Sequence, residues 1–283
     1  MKIIKIPITF ELKNNSLKNS ISTLIKLVIP NRDSLAIDFS RLEITSKGDL
    51  MVLIAQLEKS IITKHNKIYR RGKLPTGKKV KELLLSSMDL VHVNKDITVN
   101  KLDESEKAKL LNLNIVDSIV SGLKKIGIKE YFIPFNEFLI ELIANAVEHG
   151  IENKNINWWL THEIDQKNKE IKYTFVDMGL GIINSHKKAG LPIKYFFLQN
   201  KFVILHALYA KLGSSTKETN RGRGLPQLRL MIEKGFFSNF VLISNNVSLH
   251  FRNNQFMSSN NRNFVGTYYS WTIDKKCFEQ WRN

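Results

Sequence analysis

The residues of this chain whose types and spacing suggest joint chemistry lie in three short segments of its second half. The first is Glu141-Leu-Ile-Ala-Asn145-Ala-Val-Glu148-His149-Gly150. Spacings of four set Glu141, Asn145 and His149 as one polar stripe on a helix whose other positions, among them Phe138, Leu139, Leu142, Ile143, Ala146 and Val147, are mainly apolar. A helix this apolar is expected to be largely buried. A carboxylate and an amide lined up on it are then paired, face a wet or liganded cavity, or reach solvent as a plain polar stripe. The second segment, Val176-Asp177-Met-Gly179-Leu-Gly181-Ile182, follows an apolar strand. Glycines two apart let the backbone turn sharply and approach a ligand, and an aspartate at a strand end offers an acceptor to an amino group. The third, Arg221-Gly222-Arg223-Gly224-Leu225, opens a helix. Glycine before a helix start exposes unpaired N–H groups to an anion, and flanking arginines favour phosphate.

The elements that must carry these segments follow from periodicity. Helices are expected over 110–126, 134–147, 194–211 and 225–233, with Pro134 suited to a first helical turn, where its missing N–H costs little. Strands are expected over 158–164, 171–176, 237–244, 248–251 and 264–273. Before them, 35–39, 67–71 and 90–93 read as strands alternating with helices over 50–62 and 79–88, an α/β layer with helices packed on a sheet. The polar stretch near 101–108 is the expected linker, dividing a domain over 1–100 from one over 109–283.

The order of the three segments, acid-plus-Asn helix, strand-Asp-x-Gly-x-Gly, long connection, then Gly-x-Gly-helix, resembles the GHKL or Bergerat-fold ATP-binding domain over roughly 105–275. This domain is shared by type II topoisomerases, Hsp90 chaperones, MutL, histidine kinases and anti-sigma serine kinases. Asn145-Ala-Val-Glu-His-Gly looks closest to the anti-sigma serine-kinase branch. The resemblance implies an α+β sandwich that binds ATP and Mg²⁺. It implies that Asn145 holds Mg²⁺ as an oxygen ligand and that Glu141 is the general base for water or a protein hydroxyl. It implies that Asp177 accepts the adenine amino group, that Gly179 and Gly181 shape the adenine pocket, and that Gly222 and Gly224 let lid and helix close on the phosphates. Arg221, Arg223, Leu225 and Thr216 join the nucleotide-binding set, with Thr267 or Thr272 at the adenine and 183–220 as the lid. His149 matches a structural histidine at a helix end. A phosphoacceptor histidine of the histidine-kinase kind is not found, since His65 and His92 have no adjacent acid.

Residues 30–100 resemble a STAS domain through Ile37-Asp38-Phe39-Ser40 and Ser46-Lys47-Gly48-Asp49-Leu50, although Lys47 stands where that family's phosphorylated serine sits. Gly72-Lys-Leu-Pro-Thr-Gly-Lys-Lys79 is close to a phosphate-binding P-loop but has Lys79 in place of the hydroxyl residue that ligates Mg²⁺. Apolar residues at 43% and charged residues at 24% exclude disordered and collagen-like classes, and the single Cys277 excludes an internal disulfide framework. Without a continuous apolar run of spanning length, the expectation is a cytoplasmic protein without membrane contact. A net charge of +17, with basic residues crowding 67–81, fits either nucleic-acid affinity or AT-rich codon usage. Three functions stay open: an Mg-ATP-binding regulator of the bacterial kind with lid closure and slow hydrolysis, an anti-sigma-type serine/threonine kinase, and a basic nucleic-acid-binding module with a vestigial nucleotide site. A protein partner and a homodimer are expected for the first two.

Overall fold

The computed structural model of the chain describes residues 2–28, 35–64, 68–69, 73–84, 119–150, 158–191, 195, 198–209 and 224–282. Its N-terminal part runs β1 (Lys2–Lys5), β2 (Thr9–Phe10), α1 (Leu17–Val28), β3 (Leu35–Asp38), β4 (Ile44–Thr45), α2 (Lys47–Lys64) and β5 (Ile68–Tyr69). Strands β1, β3 and β5 pair in parallel in that order, and β2 pairs with β4. Sequential parallel strands with right-handed crossovers carry both connecting helices on one face. Helix α1 is not among the expected elements, yet Leu17, Ile21, Leu24 and Leu27 recur at helical spacing and are buried, while Lys18 and Lys26 stay exposed.

Helix α2 is buried all round through its first half: every residue from Leu50 to Gln56 is buried. That requires covering on both sides. The second cover is a four-stranded antiparallel sheet of order β6-β7-β9-β8, with β6 Trp158–Asp165, β7 Glu170–Asp177, β8 Ser238–Arg252 and β9 Gln255–Asp274. Helix α1 packs on β9 and α2 on β6 and β7. Gly48, at the start of α2, lies so close to β7 that a Cβ there would overlap the Thr174 side chain. Ser46 caps the helix by accepting the Asp49 N–H (3.1 Å), and the buried Asp49 carboxylate accepts the Leu12 N–H (3.0 Å). Burial pushes that carboxyl above its ordinary range, against the opposing field of Lys172.

The other face of the sheet is covered by α3 (Ile133–Gly150) and, after α4 (Ile182–Lys188) and α5 (Asn200–Leu208), by α6 (Gly224–Glu233) and α7 (Lys275–Arg282). Strand periodicity divides the two cores. Tyr269, Trp271 and Ile273 face α3, where Phe138 meets Trp271 edge-on at 4.8 Å and Phe135 lies 4.7 Å from Tyr173. Tyr268, Val176, Ile243 and Trp159 face the N-terminal layer and share one apolar cluster with α1 and α2. A sheet buried on both faces explains why 158–160 and 173–176 read as unbroken runs of buried residues.

The chain is thus a mixed α/β protein of helices and sheets. The expected strands over 237–244 and 248–251 are one strand, β8, and β9 begins at Gln255, because the polar Asn- and Ser-rich stretch 255–263 pairs as a ribbon with β8. Of the expected helix over 194–211, Tyr195 and α5 are helical while 198–199 and 209 are not; of that over 110–126, 110–118 lie outside the described residues, 119–121 are helix and Gly122–Ile126 a 3-10 turn. The helix expected over 79–88 is described over 78–84, and the expected strand over 90–93 and linker over 101–108 lie outside the described residues. Among the described residues no helix is long and apolar enough to cross a membrane.

Candidate functional site

Helix α3 buries Phe135, Phe138, Leu139, Leu142 and Ile143 against the sheet, and this fixes its rotation. The half-buried Glu141 and Asn145, one turn apart, consequently emerge together along the edge of that packed face, opposite the start of α6. A Cβ added at Gly224 would stand 2.7 Å from Glu141 Oε2 and 2.9 Å from Asn145 Nδ2, so any larger residue there would displace the ends of both side chains. Partial burial raises the Glu141 pKa above the ordinary glutamate value. Among the described residues no cluster of three His, Cys, Asp or Glu side chains could hold a metal, so the candidate metal position rests on Asn145 alone.

Asp177 ends β7 and pairs across the sheet with Thr267 of β9, which in turn pairs with Ser244 of β8. Its carboxylate Oδ1 accepts the Gly179 N–H at 2.9 Å, tightening the turn that leads to Gly181. Gly181 adopts φ +79°, a left-handed conformation that glycine allows. Thr267 is buried beside Gly266, whose φ of +93° and missing side chain let β9 press against the Asp177 backbone.

These pieces line one cleft that is open to solvent. Asn145, Leu142 and Ala146 of α3 form one side, Asp177, Leu180, Gly181, Ile182, Ser185 and His186 a second, and Leu225, Thr267 and Tyr269 the remainder. Five of the residues singled out from sequence, Asn145, Asp177, Gly181, Leu225 and Thr267, therefore line a common space. Gly224 and Glu141 adjoin it through Asn145, and Gly179 turns the loop from beneath. Thr272 is not in this cleft: it faces the N-terminal layer in a separate cavity with Asp49 and Lys172. Thr216, Arg221, Gly222 and Arg223 lie outside the described residues, as does the His149 side chain; of the expected lid over 183–220, 183–191, 195 and 198–209 are described and include most of α4 and all of α5, while 210–220 lie outside.

Sequence reasoning missed Gly266, Ser244, Asn245 and the cleft walls Tyr269, Ser185 and His186. A lone glycine within a strand marks close backbone approach, and that signal was available at Gly266. Of the P-loop-like stretch, the described residues 73–79 do not line the cleft; 76–77 bend into a helical segment that starts at Lys78. Of the basic residues over 67–81, Lys73, Lys78, Lys79 and Lys81 are solvent-exposed.

No family model and no curated protein match the chain. Among solved structures it is similar to the histidine kinase domain of the blue-light activated histidine kinase from Erythrobacter litoralis, at 11% identity over 92% of this chain and 93% of that one, with a TM-score of 0.27. A likeness of that size lends no weight to any function.

Proposed function

We propose that the cleft binds Mg-ATP and that the chain is a nucleotide-dependent regulator of the GHKL kind. The observation that carries this reading is the convergence of three sequence-distant segments, around Glu141/Asn145, Asp177/Gly181 and Gly224, on a single cleft. Asp177, a carboxylate lining the cleft, reads the adenine amino group, with Thr267 beside it. Leu142, Ala146 and Tyr269 supply apolar walls for the base, and the start of α6 at Gly224, beside Glu141 and Asn145, offers backbone N–H groups to phosphates. Asn145 contributes an oxygen ligand to Mg²⁺, which when bound offsets phosphate charge. Glu141, with its affinity for a proton raised by burial, is placed to accept one from water or from a partner's hydroxyl.

The N-terminal layer supports a regulatory role because it touches the cleft's scaffold. The buried Gln56 of α2 donates from Nε2 to the Val265 carbonyl (3.1 Å) and meets Met178 Sδ, the residues next to Gly266 and Asp177. The test is calorimetric titration of Mg-ATP, Mg-ADP and Mg-GTP into wild type, Asn145→Ala and Asp177→Asn. Adenine-selective, Mg-dependent binding lost in both variants is expected; no binding to wild type under any condition overturns the reading. With binding in hand, phosphate release that Glu141→Ala abolishes identifies hydrolysis, and label transfer to a partner serine identifies a kinase.

A further inference from the structure

Helix α4 opens at Gly181, which has no side chain to cap it. Its three leading N–H groups nevertheless all have acceptors, supplied by a strand more than sixty residues away. Ser244 Oγ accepts from Ile182 (2.8 Å), and Asn245 Oδ1 accepts from Ile183 (3.1 Å) and Asn184 (3.4 Å). Asn245 Nδ2 in turn donates to the Leu180 carbonyl at 2.9 Å, and Ser244 donates to the Gly266 carbonyl at 3.4 Å. One buried Ser-Asn pair thus ties together the loop after Asp177, the start of α4 and the strand that carries Thr267.

The position is specialised in its backbone as well. Asn245 has φ +52°, and the register of β8 on β9 shifts on both sides of it. A double irregularity of this kind turns one side chain out of the ladder, and asparagine tolerates the left-handed conformation better than most residues. The fit is reciprocal, since a Cβ at Gly181 would stand 2.6 Å from Asn245 Oδ1.

We propose that Asn245, supported by Ser244, is a positioning residue for base recognition; the inference rests on the Mg-ATP reading above. It acts through the 177–184 loop, holding Leu180, Gly181 and Ile182 as one wall of the cleft at a fixed distance from Asp177 and Thr267. Because Ser244 and Asn245 occupy the leading N–H groups of α4, phosphates are left to the opposite end, at Gly224 beside Asn145. Loss of Asn245 therefore weakens recognition of the base and spares recognition of the phosphates, a separation that general loss of structure does not produce.

The test compares wild type, Asn245→Gly and Asn245→Asp. Glycine keeps the positive φ and removes every side-chain hydrogen bond of Asn245, whereas aspartate keeps acceptance at α4 and loses the bond given to Leu180. Mg-ATP, Mg-GTP and the base-free probe Mg-tripolyphosphate are titrated into each, and amide exchange is followed over 180–186. Expected for Asn245→Gly are at least a tenfold loss of Mg-ATP affinity, an ATP-to-GTP preference falling toward one, tripolyphosphate affinity within twofold of wild type, and faster exchange at 182–184. Asn245→Asp falls between, with α4 exchange largely preserved, and carries the test if the glycine variant melts below the assay temperature. Equal losses of ATP and tripolyphosphate, or unchanged ATP affinity and selectivity, overturn this inference while the Mg-ATP reading stands. Wild type that binds no nucleotide overturns both, and unchanged exchange in Asn245→Gly refutes the clamp whatever the nucleotide result.

Discussion

Gly266→Ala is the sharpest probe of how the cleft is built. At φ +93° an alanine carries the penalty of the left-handed region, about 1–2 kcal/mol. Its Cβ would also overlap the Asp177 carbonyl oxygen and stand 2.8 Å from the Asp177 carbonyl carbon and 2.9 Å from Met178 Cα. All three are backbone atoms of the neighbouring strand and loop, so relief requires moving β7 or β9 rather than turning a side chain. Overpacking of that kind costs about 1–3 kcal/mol. Together the two effects come to about 3 kcal/mol, which in a protein of this size lowers Tm by roughly 6–12 °C. Gly127→Ala separates them: φ there is +89°, with nothing within 4 Å of the added carbon, so only the backbone penalty applies. Thermal melts of wild type and both variants by circular dichroism decide the matter. A Gly266→Ala melt no lower than that of Gly127→Ala refutes the close approach of Asp177 and Gly266, and with it the shape of the cleft at Asp177. Below its melt, Gly266→Ala is also expected to bind Mg-ATP at least tenfold more weakly, because Asp177 has moved.

Gly224→Ala is expected to behave in the opposite way. Its Cβ meets the flexible ends of Glu141 and Asn145, so Tm stays within about 3 °C of wild type, given the small gain in helix propensity, while Mg-ATP affinity falls at least tenfold by calorimetry. Glu141→Gln should stabilise the fold at neutral pH and, under the Mg-ATP reading, abolish phosphate release. The folded-state pKa of Glu141 is raised, so its contribution to stability is complete below the unfolded value and lost as pH rises through the folded one. Melts from pH 4 to 8 should accordingly show the advantage of Gln appearing only above the ordinary glutamate range, and an advantage greatest at acid pH contradicts this. Gly48→Ala places a Cβ 2.8 Å from Thr174 Cβ and 3.1 Å from its Cγ2, costing about 1–3 kcal/mol. Thr174→Ala in the same chain should recover part of that loss in a double-mutant cycle, and strict additivity would mean that α2 does not dock on β7.

What could be read from the sequence was whatever local spacing encodes. Glu141 and Asn145 fall on one side of a helix because the period is 3.6, and the apolar positions between them dictate which side is buried. Asp177, Gly179 and Gly181 mark a turn after a strand because glycine is the residue that permits it. Strands β6 and β7 and helices α3 and α6 followed from the same periodicities within a few residues. Helix α1 escaped because its lysines interrupt the apolar run on the exposed side, and the ribbon of β8 and β9 because Asn- and Ser-rich strands carry no hydrophobic alternation.

Tertiary structure alone decided how distant segments meet. That Gly224 stands against Glu141 and Asn145 depends on the packing of α6 on α3, and nothing within either segment records it. The uninterrupted burial of Leu50–Gln56 gains its reason only when a second sheet covers α2. Asn245 caps a helix 62 residues earlier in the chain by adopting a left-handed conformation between two register shifts, a placement fixed by ladder geometry rather than by any motif. Periodicity and glycine carry local information because they act over one turn of backbone; the cleft is a property of contacts whose partners lie far apart in the chain, and their energies exist only once the sheet and helices have packed.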